Sequence, residues 1–366
     1  MTTTTETAAP ATPDEMLGRI FDSLVGALEL FCLYVGDQLG FYRALHAGGP
    51  ATPAGLAARA STAERYTREW LEQQATAGYL TCDNPEAAAA DRRYALPPEY
   101  APLLVERDNL SYAGGMAQIA AGCVAPLHEL LAAFRTGAGV PYAGYGHDLH
   151  EGQAGMTRPL FFNQLAQEWI PAMPEIAARF QADPPARVAD IGMGQGWSSI
   201  ALARGFPNIR VDGFDLDDAS VAAAQANAQA AGVADRVSFQ VRDAGDPALA
   251  GAYDLALAVE CVHDMSDPVS VLRSMRRLVG ESGTVLIVDE RVPDTFAPNG
   301  DAVERMMYGF SVLHCLPVGM VETPSAETGT VMRRPTFCRY AEEAGFRSVD
   351  ELPIENDFFR FYKLTG

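Results

Sequence analysis

The chain is short of positive charge. Its 366 residues carry 27 Lys and Arg against 47 Asp and Glu, a formal net charge of −20. Binding to DNA or RNA needs a basic surface, so a nucleic-acid partner is not expected and a small molecule is the default. Long apolar runs are missing too, and none approaches the ~20 residues that span a bilayer. The first residues, Met1-Thr-Thr-Thr-Thr-Glu-Thr, lack the basic and apolar regions of a signal peptide. The expectation is a cytoplasmic protein with no membrane partner. Cysteine is sparse: the six, at 32, 82, 123, 261, 315 and 338, form no Cys-x-x-Cys pair. That argues against a disulfide framework or zinc ribbon and reads as reduced thiols packed as small hydrophobes. The length leaves room for two domains.

What is present is a glycine-rich turn at the end of an apolar run, Arg187-Val-Ala-Asp-Ile-Gly-Met-Gly-Gln-Gly-Trp-Ser-Ser. Val188, Ala189 and Ile191 around Asp190 read as a buried parallel strand. Gly192, Gly194 and Gly196 read as a tight turn into a helix from Ser198 to Arg204, where the backbone takes positive φ and a ligand comes close. A dinucleotide fingerprint wants Gly-x-Gly-x-x-Gly. Here the third glycine comes one residue early and Trp197 follows it, which disfavours a dehydrogenase. Ile209 to Asp215 reads as a second strand ending in a carboxylate, near the ~20-residue offset at which such an acid meets ribose hydroxyls. A helix from Asp218 to Ala231 follows, then strands Val237 to Val241, Asp254 to Val259 and Thr284 to Val288. The alternation predicts an α/β fold, a Rossmann-like doubly wound sheet with its site at the carboxyl ends of the strands.

Asp-Ile-Gly-Met-Gly-Gln-Gly, Gly-Phe-Asp-Leu-Asp and Arg-Asp-Ala, in this order, resemble class I S-adenosylmethionine (SAM)-dependent methyltransferases over about the last half of the chain. The resemblance implies SAM as cofactor. It implies that Asp190 and Gly192, Gly194 and Gly196 face the methionine part, Asp215 holds the ribose and Leu216 packs on adenine. Asp243, with Ala244 beside it, would meet the adenine amino group.

Ahead of this region, residues 1–13 read as a disordered tail. From Asp14, Ile20, Leu24, Leu28, Leu30 and Phe31 recur at helical spacing, as on a core helix or one that packs against another subunit. Thr52 and Pro53 open a further helix, and Ser61 with Glu64 offers a capping box for the next. Short strands at 79–82 and 93–96 complete a mostly helical winged-helix domain over 14–110. On a DNA-binding regulator the second helix would enter the major groove, but here its charge is nearly balanced. The pattern resembles the dimerisation domain that small-molecule O-methyltransferases carry ahead of their SAM domain, which implies a homodimer. Residues 111–182 read as a helical linker, with one helix from Tyr112 to Phe134 and a loose glycine-rich segment from 137 to 155. There His147-x-x-His150-Glu151 has a spacing that metals use. The helix 158–169 would bring Phe161, Phe162, Gln164, Gln167, Glu168 and Trp169 towards the glycine turn, with Phe162, Gln167, Glu168 and Trp169 as the expected lining of the substrate cavity. The catalytic domain is then 183–366.

After the fourth strand comes Glu260-Cys261-Val262-His263-Asp264. A histidine at a strand end is placed to work near neutral pH. The run resembles the His-Asp segment of O-methyltransferases, which implies His263 as general base and Glu290 as the acid that orients it. A second acid of those enzymes has no counterpart in Val331-Met332-Arg333-Arg334. The insertion 301–334 reads as a lid, with Met307 and Phe310 lining the pocket and Arg333 or Arg334 free to meet an anionic group. His263, Asp264 and His314 also resemble the divalent-metal set of α-keto acid C-methyltransferases, so metal-assisted C-methylation of a small acid is the alternative.

Overall fold

A computed structural model describes residues 11–366. The tail expected over 1–13 falls almost wholly outside the described residues, and Pro13 already opens the first helix. The described residues divide into two compact units, one ending at Ala117 and the other spanning Gln118–Gly366.

In the first unit, α1 (Pro13–Gln38) starts at a capping box in which Thr12 and Glu15 satisfy each other's backbone N–H groups. Next come α2 (Phe41–Gly48), α3 (Pro53–Ala60) and α4 (Glu64–Thr76), the antiparallel pair β1 (Thr81–Cys82) and β2 (Tyr94–Ala95), and α5 (Ala101–Leu104). Thr52 caps α3 by accepting the N–H of Gly55 at 3.2 Å. The box expected at Ser61 and Glu64 does not form. Ser61 closes α3 with φ 54°, and α4 starts after Ala63 without a side-chain cap. A residue already spent on ending one helix is not in place to begin the next. Leu45, Leu56, Trp70 and Leu71 form the centre of this unit's core.

The single helix expected over 112–134 is two, α6 (Gly114–Val124) and α7 (Leu127–Thr136). Pro126 has no N–H to continue the ladder. The segment expected to be loose is ordered from Gly146 as α8 (Gly146–Leu160). Its glycines serve packing: a Cβ on Gly152 would lie 2.2 Å from the Ile119 nitrogen, and one on Gly122 2.3 Å from that of Leu149. These two glycines let α6 and α8 cross backbone to backbone. Beyond Pro159 the helix widens into a π-helix over Phe161–Trp169. There the Asn163 side-chain amide donates to the Pro159 carbonyl at 2.7 Å, the acceptor an α-helix would give to Asn163's own N–H. α9 (Pro174–Gln181) leads to the sheet.

The sheet is built by β3 (Ala186–Ile191), α10 (Trp197–Gly205), β4 (Ile209–Asp215), α11 (Asp218–Ala231), β5 (Val237–Val241), β6 (Leu255–Val259), α12 (Pro268–Val279) and β7 (Thr284–Glu290). The insertion read as a lid folds as α13 (Ala302–Phe310), a π-helical turn over Ser311–Cys315 and α14 (Leu316–Gly319). α15 (Arg334–Glu343) and a hairpin of β8 (Ser348–Glu351) and β9 (Phe359–Thr365) close the chain. Strand order is β5-β4-β3-β6-β7-β9-β8, parallel through β7 and antiparallel in the hairpin. The order reverses between β3 and β6, and that switch point is where such sheets bind ligands. Among the described residues no single helix is long and apolar enough to cross a bilayer.

Candidate active site

A cavity of about 610 Å³ opens at the switch point, floored by the ends of β3, β4 and β6 and walled by α8, the 161–169 π-helix and the segment after α14. Its lining is acidic: among the described residues, eight carboxylic side chains face one guanidinium, Arg242. That guanidinium donates to Asp246 at 2.9 Å. The cavity's potential is therefore negative, suited to a cation and hostile to an anion.

The glycine turn holds one wall. Gly192, Gly194 and Gly196 have φ of 63°, 53° and 78°, the left-handed region that glycine enters freely. Gly192 and Gly194 line the cavity, and a Cβ on Gly194 would meet nothing within 4 Å, so its backbone is open to a ligand. Gly196 corrects the expectation. It faces the protein, where a Cβ would sit 2.8 Å from the Phe239 ring and 2.9 Å from Ala224. It is a helix-packing glycine. Asp190 is buried and accepts hydrogen bonds from Ser198 and Ser199 Oγ, both at 2.6 Å. Burial pushes its carboxyl up to about 6, against those bonds. Asp215 accepts the N–H groups of Gly194 at 2.8 Å and Asp217 at 3.0 Å, and burial raises it as well. Its remaining lone pairs are free for hydroxyl donors. Leu216, 68% exposed, lies on the cavity wall with Asp243 and Ala244.

His263 is not on the wall. It lies 2% exposed behind it, with Nδ1 2.8 Å from Asp289 and 2.9 Å from Glu290, and Nε2 3.1 Å from Asp264. Burial alone would lower its pKa, but Asp264, Glu290 and Asp289 together hold it well above the ordinary imidazole value. Nδ1–H points to Asp289, which stays ionised below the usual carboxylate range despite burial, while burial drives Glu290 well above it. The surrounding carboxylates thus favour the charged ring, and of the three acids burial acts most strongly on Glu290. The general-base role expected for His263 needs the neutral ring, which these carboxylates disfavour. Glu290 does stand beside the ring as expected.

The other pocket residues need correction. Phe161, not Phe162, lines the cavity. Phe162 packs edge-on against Trp197 at 5.7 Å. Gln167 and Glu168 point to solvent, and Trp169 is buried against Phe361 at 5.0 Å. Within the π-helix the turns are wider, so faces drawn at α spacing miss. Met307 is buried in the lid and Phe310 packs with the cluster of Ile119 and Leu149. Arg333 is tied to α13, bonded to Glu304 at 2.8 Å and to the Tyr308 hydroxyl at 3.2 Å, and Arg334 lies 3.6 Å from Glu351.

The metal set of His263, Asp264 and His314 does not assemble. Among the described residues the ligand atoms that come together are those of His263, Asp264 and Cys315, or of His263, Asp289 and Glu290. His314 is turned to the rings of Tyr145, at 4.8 Å, and Tyr142. Nor does His147-x-x-His150-Glu151 converge. His150 stacks on Tyr142 at 4.3 Å, 3.9 Å from Asp217, and Glu151 accepts from Gln195 at 2.7 Å.

Sequence reasoning missed Asp289, Glu260 and Tyr142. Asp289 and Glu290 end a strand buried on both faces, so no alternation distinguishes them. Glu260 is the one non-glycine residue of the cavity with positive φ, 52°, a conformation no motif announces.

Comparison with known proteins agrees with this geometry. Residues 182–324 match a methyltransferase domain and residues 26–106 an Rv2258c-like winged HTH domain. Ajmaline N-methyltransferase of Rauvolfia serpentina is 33% identical over 115 residues, 30% of this chain and 39% of that one. A ubiquinone biosynthesis O-methyltransferase of Ralstonia nicotianae is 27% identical over 56% of this chain and 76% of its own. The chain thus spans only about two-fifths to one half of the first curated relatives it matches. Two solved structures share the fold at low identity. The mitomycin 7-O-methyltransferase MmcR has TM-score 0.69 and 20% identity, covering 96% of this chain and 98% of its own. Human N-acetylserotonin methyltransferase in complex with SAM has 0.64 and 17%, covering 98% and 99%. The chain thus carries a methyltransferase domain over residues 182–324 and an Rv2258c-like winged HTH domain ahead of it, and it shares the fold of SAM-dependent methyltransferases of known structure.

Proposed function

We propose that the chain transfers a methyl group from SAM to a small-molecule acceptor within the 610 Å³ cavity. One observation carries this: an acidic pocket at the switch point in which Asp215 ties the glycine turn to the end of β4 while keeping acceptor capacity for ribose hydroxyls. The donor set fits the cofactor. Asp215 would hold the ribose, Leu216 would cover adenine with Asp243 and Ala244 at its edge, and Gly192, Gly194 and Asp190 would meet the methionine part. SAM, when bound, supplies a methyl group activated by its positive sulfur. The residues then have to align the acceptor, exclude water and remove any acidic proton. His263 acts as a fixed cation behind the wall, holding Asp264 at the cavity face. A calorimetric titration with SAM tests the assignment, with one site per chain expected and no binding overturning it.

The acids speak against the alternative, metal-assisted methylation of a keto acid, since an anionic acceptor would enter a field of its own sign. The net charge of −20 opposes a DNA-binding regulator. Homodimerisation is part of the proposal. Leu17, Ile20, Phe21, Leu24 and Leu28, each more than half exposed, form one stripe along α1, the kind of apolar face that partners cover. Light scattering should give a dimer for the native chain and a monomer for Phe21→Glu/Leu24→Glu; a monomeric native chain contradicts it. The cytoplasmic location remains a proposal, supported by six free cysteines.

A further inference from the structure

Most of the cavity's carboxylates already have work. Asp190 takes two serine hydroxyls, Asp215 the glycine turn, and Asp217 and Asp267 cap helices by accepting the N–H groups of Ser220 and Ser270. Asp243 accepts the N–H of Gly245, and Asp264 faces the His263 cation. Glu260 differs. Among the described residues its carboxylate has no hydrogen-bond or ion-pair partner, yet it lines the cavity one residue beyond β6, the strand beside β3 at the switch point.

Its backbone is held in place at a cost. A non-glycine residue with φ 52° is strained, and the conformation is kept by the Glu260 N–H donating to the Val288 carbonyl at 2.8 Å, which extends the β6–β7 pairing by one residue. Strain of this kind persists where it aims a functional group. Burial also pushes the Glu260 carboxyl up to about 7, within reach of both protonation states at neutral pH. The same cavity is lined by two aromatic rings, Tyr142 and Phe161, with Arg242 as its one guanidinium among the described residues and the buried His263 behind the wall acting on Glu260.

Charge bookkeeping through the reaction then separates acceptor classes. Methylating a phenolate annihilates charge, because an oxygen anion and a sulfonium give two neutral products. Methylating an amine conserves it: the positive charge passes from sulfur to nitrogen and stays among the carboxylates. An anionic, cation-poor cavity stabilises the second course and raises the energy of a phenolate.

We propose that the acceptor is a basic amine, bound as an ammonium ion by the Glu260 carboxylate, which takes its proton before transfer. The inference rests on the methyl-transfer reading above. Ammonium and carboxylate give free amine and carboxylic acid. The nitrogen lone pair then forms the N–C bond, the S–C bond breaks with its electron pair kept by sulfur, and S-adenosylhomocysteine leaves. The new ammonium is held by the remaining acids. Tyr142 and Phe161 add cation–π attraction for the same charge.

The test uses the full chain with SAM and a panel of bicyclic secondary amines against ring-matched phenols, with S-adenosylhomocysteine formation measured by mass spectrometry and SAM binding by calorimetry. The expected result is a kcat/KM for the best amine at least ~10-fold above that of its phenol. Glu260→Gln should lower amine turnover ~100-fold with the SAM Kd unchanged within about twofold, and Glu260→Asp should restore part of it. Preference for phenols overturns the proposal, as does SAM binding with no amine turned over. So does a Glu260→Gln variant that methylates amines normally, or one that mainly loses SAM, which would assign Glu260 to the cofactor. Failure of the native chain to bind SAM overturns the methyl-transfer reading as well. Circular dichroism confirms that each variant folds.

Discussion

Asp215→Ala should give a folded protein that has lost SAM. The carboxylate accepts two backbone N–H groups, from Gly194 and Asp217, and points its remaining capacity into the cavity. Two hydrogen bonds from ribose hydroxyls to an ionised acceptor contribute about 1.5–3 kcal/mol each. Their loss should weaken SAM by roughly 100-fold or more. The same substitution should change thermal stability little, since relief of a destabilising buried charge offsets the two backbone hydrogen bonds lost. Burial raises the Asp215 carboxyl in the folded state, and an acid whose folded pKa lies above its unfolded value destabilises the fold once pH exceeds the unfolded value. A site residue that weakens its own fold is the expected trade between stability and function. Calorimetry and a melting curve on one preparation check both halves; intact SAM affinity would remove Asp215 from the site.

The second large effect concerns the buried histidine cluster. Asp289→Asn should destabilise the protein by about 3–5 kcal/mol, because it strips the ionised partner from a buried imidazolium. Glu290→Gln should cost less than about 1 kcal/mol, since burial favours the protonated form of Glu290 and glutamine keeps a donor and an acceptor in place. The two acids stand at nearly equal distance from Nδ1, 2.8 and 2.9 Å, so proximity alone would predict similar effects. The pH dependence follows from the directions. His263 has a folded pKa above its unfolded value, so its contribution is complete below about pH 6.5 and is lost as pH rises through the folded value. Asp289 is depressed, so its contribution is complete above about pH 4 and lost as pH falls through its lower folded value. The Asp289→Asn deficit should therefore be largest near pH 5–6 and shrink on the alkaline side. Urea unfolding at several pH values measures it. Equal costs for the two variants would contradict the assigned protonation.

Much of the sheet was legible because its elements announce themselves locally. The strand from Ile209 to Asp215, the helix from Asp218 to Ala231 and the strand from Val237 to Val241 fall where apolar runs, caps and turn glycines put them. The cofactor side was legible for the same reason, since its residues follow strand ends at fixed offsets. Gly196 shows the limit of a motif: three glycines look alike in sequence, but only contact with Phe239 and Ala224 reveals that the third serves packing.

The acceptor side was harder, because it is assembled by long-range packing. Phe161 rather than Phe162 lines the cavity because the turns of the π-helix are wider, and within it the Asn163 amide takes the Pro159 carbonyl. The helical order of 146–160 depends on glycines that look like breakers until the crossing helix is seen. The hairpin Ser348–Glu351 and Phe359–Thr365, which extends the sheet, had not been read at all. His314 missed its expected partners because its position in a π-helical turn sends the ring toward Tyr145.

The central claim is that this cavity binds SAM, and parallel calorimetric titrations of the native chain with SAM, S-adenosylhomocysteine and NAD test it most directly. The account predicts one saturable site per chain for SAM and for S-adenosylhomocysteine, lost in Asp215→Ala, and no heat from NAD. NAD binding that SAM fails to displace, or no SAM binding in a folded protein, would contradict it.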